Sequence, residues 1–163
     1  MIETGKIIGI ARRSARREPM QAIASGEITV DAGLTGDFKG AKHKTRQITI
    51  LAIEDWQAAL SDLGQTAVQY PWTVRRANLL SEGLRLPRAK GARLQVGDIE
   101  LEVTGQTYPC KRMDETLPGL LKALAPEWRG GVTCRVRQGG SLELGDALHI
   151  VSSPCETIRR LPG

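Results

Sequence analysis

Apolar and polar positions alternate along much of this chain, and the pattern marks short strands more often than helices. Residues 6–11 (K-I-I-G-I-A) read as a strand that runs into the basic cluster Arg12, Arg13, Arg16 and Arg17. Residues 20–23 and 27–30 flank Ser25-Gly26, the pattern of a hairpin turn. Residues 31–45 are rich in glycine and lysine without an apolar period, which predicts a loop, and 47–52 form the next strand. Trp56, Ala59, Leu60 and Leu63 recur at i, i+3, i+4 and i+7, the stripe of a short amphipathic helix stopped by Gly64.

The second half repeats one device. Residues 94–96 and 99–103 alternate strictly around Gly97-Asp98, and residues 142–144 and 147–151 echo them around Gly145-Asp146. Both predict β-hairpins in which glycine supplies the unusual turn dihedrals. Between them Leu117, Leu120, Leu121 and Leu124 form a second helical stripe, with Pro118 in its first turn. Val132, Cys134 and Val136 alternate with Thr133, Arg135 and Arg137 in a half-buried strand. Closely spaced strands with two short helices, near 54–63 and 117–125, predict a mixed β-barrel of mainly antiparallel strands.

Composition narrows the class. The 163 residues fit one domain spanning 1–163, and 40% hydrophobic with 25% charged residues argues against wholesale disorder. No apolar run approaches the ~20 residues that cross a bilayer, and residues 1–10 lack the pattern of a secretion signal. A soluble, cytoplasmic protein without membrane association is the expectation. The net charge of +5 points to an anionic ligand, to nucleic acid, or only to solubility. Nucleic-acid-binding barrels present strand-borne aromatics for base stacking. Here Tyr70, Trp72 and Tyr108 are not interleaved in a strand pattern, so nucleic acid is the weaker alternative.

The cysteines carry the candidate chemistry. Their odd number argues against a disulfide framework, and the absence of C-x-x-C or H-x-x-x-H spacing argues against a zinc site. Cys134 is in phase with Val132 and Val136 and should point into the core as a small hydrophobe. Cys155 lies in the tail, 152–163, after the last strand. Cys110 follows Tyr108-Pro109 and precedes Lys111-Arg112, with Asp114 available as an early helix cap. Two adjacent cations and a nearby helix start favour the thiolate, the form that attacks sulfur or binds a soft metal. A loop cysteine without a role is the competing reading.

At Cys110 the sequence resembles the MOSC family, named for the C-terminal domain of molybdenum cofactor sulfurase. Gly33-Leu34-Thr35-Gly36-Asp37 looks like the family's early G-x-x-G-D loop, and 47–51 followed by Trp56 like its next strand and helix. Arg76-Ala77-Asn78-Leu79 resembles its asparagine-leucine motif, and 96–103 followed by Pro109-Cys110 the strand leading to its cysteine. Gly130-Gly131-Val132, Gly139-Gly140 and Gly145-Asp146 resemble the closing segment, so the resemblance covers about residues 5–151. There are two departures. The histidine that usually follows Gly-Asp is replaced by Phe38 and lysines, with His43 coming later, and Arg76-Ala77 stands where the family has G-E.

The resemblance implies that Cys110 ligates molybdenum of a pterin cofactor, in a site that reduces N-hydroxylated compounds, or carries sulfane sulfur as a persulfide in a sulfur transferase. A non-catalytic molybdenum-pterin binding protein shares the same site. Pyridoxal phosphate enters only through the desulfurases to which related domains are fused. No fused desulfurase or reductase domain is expected, so a partner protein, a cysteine desulfurase or a reductase, would supply sulfur or electrons. A molybdopterin carries a phosphate, which arginine binds through paired hydrogen bonds. Candidate contacts are Arg12, Arg13, Arg16, Asp37, Lys42, His43, Arg46, Arg75, Arg76, Asn78, Lys111 and Arg112, with Cys110 as catalytic residue and metal ligand. His149, within a terminal strand, is read as structural.

Overall fold

In the computed structural model, residues 4–107 and 112–154 are described. Cys110, Lys111 and Cys155 lie outside the described residues. The elements are β1 (Thr4–Arg12), β2 (Gln21–Ile23), β3 (Ser25–Thr29), β4 (Gly33–Leu34), β5 (Ile48–Ala52), α1 (Ile53–Asp62) and β6 (Leu79–Glu82). They continue with β7 (Arg93–Val96), β8 (Ile99–Gln106), α2 (Arg112–Thr116), α3 (Leu120–Leu124), β9 (Val132–Gln138), β10 (Gly140–Glu143) and β11 (Ala147–Ser152). Seven strands run in the order β11-β7-β8-β9-β5-β6-β1, and pairing of β1 with β11 closes them into a barrel. Only β5 and β6 pair in parallel among these, so the barrel is mixed but mainly antiparallel, as expected. No helix of the described residues is long and apolar enough to cross a membrane.

The parallel pair explains a local sequence feature. β5 (I-T-I-L-A) is apolar at nearly every position because both its faces are covered. Ile48, Ile50 and Ala52 join Leu79 of β6 in the barrel interior, while Leu51 and Leu80 point outward against Trp56, Ala59 and Leu60 of α1. Parallel strands need a long crossover, and α1 is carried on it. Trp56 is fully buried, and its indole N–H donates to the Tyr70 carbonyl at 2.9 Å.

Strand positions matched the expectation better than strand partners did. The β7–β8 hairpin forms around Gly97-Asp98, with Val96 opposite Ile99. The echo around Gly145-Asp146 does not: β10 pairs with β3, whereas β11 pairs with β1 and β7. Ser25-Gly26 is likewise not a hairpin turn but the start of β3, which leaves β2 on β1 and joins the small sheet β10-β3-β4. Both stretches had enough alternation to pair locally. Closing the barrel takes β11 to β1 instead, satisfying two strand edges that would otherwise stay open.

The second helical stripe is realised as the shorter α3, which holds Leu120, Leu121 and Leu124 but not Leu117, and a separate helix, α2, precedes it. Pro118 and Gly119, the latter at φ 90°, separate α2 from α3. Asp114 does not cap α2; it sits inside it, and its carboxylate accepts the Leu121 N–H at 2.9 Å. Between α3 and β9, Gly131 adopts φ 97°, and a Cβ there would lie 2.2 Å from the Ile50 carbonyl oxygen. Only glycine permits this close approach of backbone to backbone. It fixes the start of β9 against β5, beside the cleft described next.

Candidate functional site

A cleft of about 890 Å³ opens at one end of the barrel, within the size range of small-molecule sites. The segment after β1 contributes Arg13 and Arg16, and the loop after β4 contributes Phe38, Lys39, Lys42, His43 and Arg46. A single 3₁₀ turn, Trp72–Arg75, delivers Arg75, then Arg76 and Ala77. Lys90 enters from the loop before β7, and Arg112 from α2. Thr49, Thr104 and Thr133 add hydroxyl groups from β5, β8 and β9, and Thr107 adds one from just past the end of β8. Among the described lining residues, nine are lysine or arginine and none is aspartate or glutamate. Such a wall focuses positive potential into a partly desolvated space.

Arg13 is central to this electrostatics. It is 5% exposed, yet its Nη1 is buried with no hydrogen-bond partner among the described residues. Burial holds its pKa below the usual arginine range, and the Arg76, Arg112 and Arg16 charges push the same way against Asp37. Its guanidinium sits 4.9 Å from the Phe38 ring centroid, with the Lys42 ammonium 5.3 Å from the same ring. The ring compensates part of the lost hydration of both cations. The Lys39 pKa is also lowered, first by lost hydration and then by Arg13 and Arg76, with Asp37 opposing. Buried cations without partners are costly, and such cost is concentrated at functional sites.

The expected site residues divide into those facing the cleft and those supporting it. Arg13, Arg16, Lys42, His43, Arg46, Arg75, Arg76 and Arg112 all line it. Asp37 is buried behind them and accepts the Arg13 backbone N–H at 3.1 Å, tying the Gly-Asp loop to the end of β1. Arg12 turns away to donate to the Thr35 carbonyl at 2.8 Å. Asn78 is 5% exposed, and its amide is engaged by strands: Oδ1 accepts from the Thr49 N–H at 3.0 Å, and Nδ2 donates to the Ala11 carbonyl at 3.3 Å. It braces β5 and β1 directly beneath the cleft.

Thr107 and Arg112, the described residues on either side of 108–111 in the chain, both line this cleft. Arg75 donates from Nη2 to the Thr107 carbonyl at 3.1 Å, and Thr107 N–H donates to the Gly131 carbonyl at 2.8 Å. Cys134, by contrast, is fully buried in the barrel, and burial pushes its thiol pKa far up, so it stays protonated and inert. His149 accepts or donates at Nδ1 toward the Thr4 hydroxyl at 3.0 Å, far from the cleft in the β1–β11 seam.

Phe38, Lys39, Lys90 and the threonines escaped the sequence reading. The lysine-rich loop was the available signal for Lys39. The threonines occupy positions that alternation assigns to solvent, and here that face is the cleft floor. Thr104 donates to the Thr45 carbonyl, and its Oγ1 lies 2.9 Å from that of Thr133. Nothing local marks Lys90. Among the described residues no three His, Cys, Asp or Glu side chains gather as a metal site.

Known proteins of the same shape exist at low identity. YuaD from Bacillus subtilis is similar with a TM-score of 0.73 and 17% identity, over 93% of this chain and 100% of that one. YiiM from Escherichia coli is similar with a TM-score of 0.68 and 15% identity, over 91% of this chain and 71% of that one. YiiM from Geobacillus stearothermophilus gives 0.65 and 18%, over 91% and 73%. No curated protein matches the chain in sequence. The family model described as the MOSC domain matches residues 36–149, which takes in Gly36-Asp37 of the early loop, the asparagine motif, Cys110 and the closing glycines. The chain belongs to the MOSC domain family.

Proposed function

We propose that the cleft binds a phosphate-bearing molybdenum-pterin cofactor and that Cys110 is the protein's ligand to the metal. The observation that carries this reading is the carboxylate-free cationic wall containing buried Arg13 with an unpartnered Nη1. A persulfide carrier needs only an accessible thiolate, whereas this cleft has the volume and charge of a site for a sizeable anion. With no protein ligand cluster among the described residues, the metal would arrive held by its own pterin. Cys110 would add the soft donor that molybdenum favours. Arg13 and Arg76 would hold phosphate, Phe38 and the threonine hydroxyls would contact the body of the ligand, and Arg112 would favour the neighbouring thiolate. Bound there, the cofactor would supply two-electron redox chemistry, with electrons delivered by a partner reductase.

The test compares wild type with Cys110→Ser, each loaded with the cofactor and desalted. Wild type should retain molybdenum and pterin together. The variant should lose most of the metal, because a neutral serine hydroxyl is a poor ligand for it. Equal molybdenum in both proteins would refute the assignment. Intact mass showing one added sulfur on Cys110, without molybdenum uptake, would instead establish the persulfide reading.

A further inference from the structure

Arg76 occupies a backbone position that arginine rarely adopts. Its φ is 64° with ψ 28°, the left-handed region where glycine is at home and a Cβ is strained. No hydrogen bond or ion pair of its side chain to another described residue offsets that strain. It is also paired with a like charge. β1 and β6 run antiparallel with Ile10 opposite Leu79, and Ala11 N–H donates to the Asn78 carbonyl at 2.8 Å. Continuing that register brings Arg13 and Arg76 to facing positions where the two chains leave the ladder, and both line the cleft. Like charges facing across an antiparallel pair are destabilising. Strain, repulsion and an unpartnered buried guanidinium therefore coincide at one point.

An anion between the two guanidinium groups relieves the repulsion and the missing hydrogen bonds together. Its charge has a lower bound. Arg76, Arg112 and Arg16 act on Arg13 there against the single carboxylate of Asp37, and Lys39 interacts with Arg13 and Arg76 as well, an excess of at least three positive charges. One phosphomonoester brings only about 1.5 to 2 negative charges at neutral pH. A second linked phosphoryl group would supply the remainder, and its extra oxygens would accept from a second planar fork.

We infer that Arg13 and Arg76 clamp the outer of two linked phosphoryl groups, so that the ligand of this cleft carries a diphosphate. The inference rests on the cleft being the ligand site but is independent of the role of Cys110. Inorganic orthophosphate, pyrophosphate and tripolyphosphate, titrated calorimetrically into the full chain at low salt, test it. Pyrophosphate should bind about tenfold or more tightly than orthophosphate, the worth of an added charge-assisted hydrogen-bond pair. Arg76→Gly relieves the backbone, so it should melt at or above wild type. It should bind orthophosphate more weakly and pyrophosphate more weakly still, so that the pyrophosphate preference falls to about threefold or less. Arg76→Lys, which keeps the charge but loses the fork, should fall between the two. Equal binding of the two anions by wild type would overturn the diphosphate clamp while leaving the cleft as an anion site. So would a preference that survives in Arg76→Gly, or a further equal gain with tripolyphosphate, which would show mere charge counting. If none of the three binds, the reading of the cleft falls too.

Discussion

Replacing Asn78 by alanine isolates the brace beneath the cleft. Asn78 accepts at Oδ1 from the Thr49 N–H at 3.0 Å and the Thr49 hydroxyl at 3.2 Å, and donates from Nδ2 to the Ala11 carbonyl at 3.3 Å. Its own N–H points to the Thr49 carbonyl at 3.1 Å, and its carbonyl accepts from Ala11, so the side chain closes the fork where β6 meets β5 and β1. Alanine leaves the Thr49 N–H and the Ala11 carbonyl without those partners. Each orphaned buried group costs about 1–3 kcal/mol. Thr49 borders the cleft, from which water can reach it, so the total should be about 2–4 kcal/mol. At about 2–4 °C per kcal/mol for a chain of this size, the melting temperature should fall by roughly 5–15 °C. Urea unfolding followed by circular dichroism measures it.

A second variant of Asn78 makes the test sharper. Asn78→Asp keeps the acceptor for Thr49 but sets a carboxylate oxygen against the Ala11 carbonyl. Burial and that repulsion would raise its folded-state pKa above the unfolded value. The folded state would then bind the proton more tightly, so the variant should regain stability relative to wild type as pH falls toward the carboxylate range. A loss of less than about 1 kcal/mol in Asn78→Ala would refute the brace. So would an Asn78→Asp deficit that does not change with pH.

Other expectations follow from individual side chains. Cys134, buried with its thiol pKa pushed up, should resist alkylation in folded protein and react only after unfolding, while Cys110 labels first. Peptide mapping reads both, and early labelling of Cys134 would contradict the barrel interior. The Glu102 pKa is lowered, chiefly by its hydrogen bond from Arg137, with its charge adding to the effect. Its contribution is therefore complete above the unfolded-state pKa and lost as pH falls through the lower folded one. The stability gap between wild type and Glu102→Gln should accordingly narrow from about pH 5 to about pH 3 in urea titrations. A constant gap would show that the ion pair contributes nothing.

Local pattern alone located most strands, one helix, the inward phase of Cys134 and the Gly97-Asp98 hairpin. These depend on residues a few positions apart, where pleat period, helix period and turn dihedrals act directly. The ordered glycine, asparagine and cysteine blocks also carried the family. Partner choice was not legible in the same way. The 142–151 stretch alternates as well as the true hairpin does, but a strand's edge can be satisfied by any neighbour of suitable register. β11 pairs with β1 because that closes the barrel, and β3 leaves β2 for β10.

The site divides along the same line. Basic residues beside Cys110 and Asn78 were visible as candidates, yet nothing along the chain distinguished Arg76 at the cleft rim from Arg12, which turns away to Thr35. Arg13 and Arg76 lie far apart in sequence and meet only through the antiparallel register of β1 and β6. Lys90 enters from a loop with no pattern at all, and the threonine floor needed β8 and β9 to be neighbours. Sequence determined which side chains were available and which way each strand faced. The tertiary structure decided which charges share one desolvated space, because that depends on closure of the barrel, a long-range event that no local period encodes.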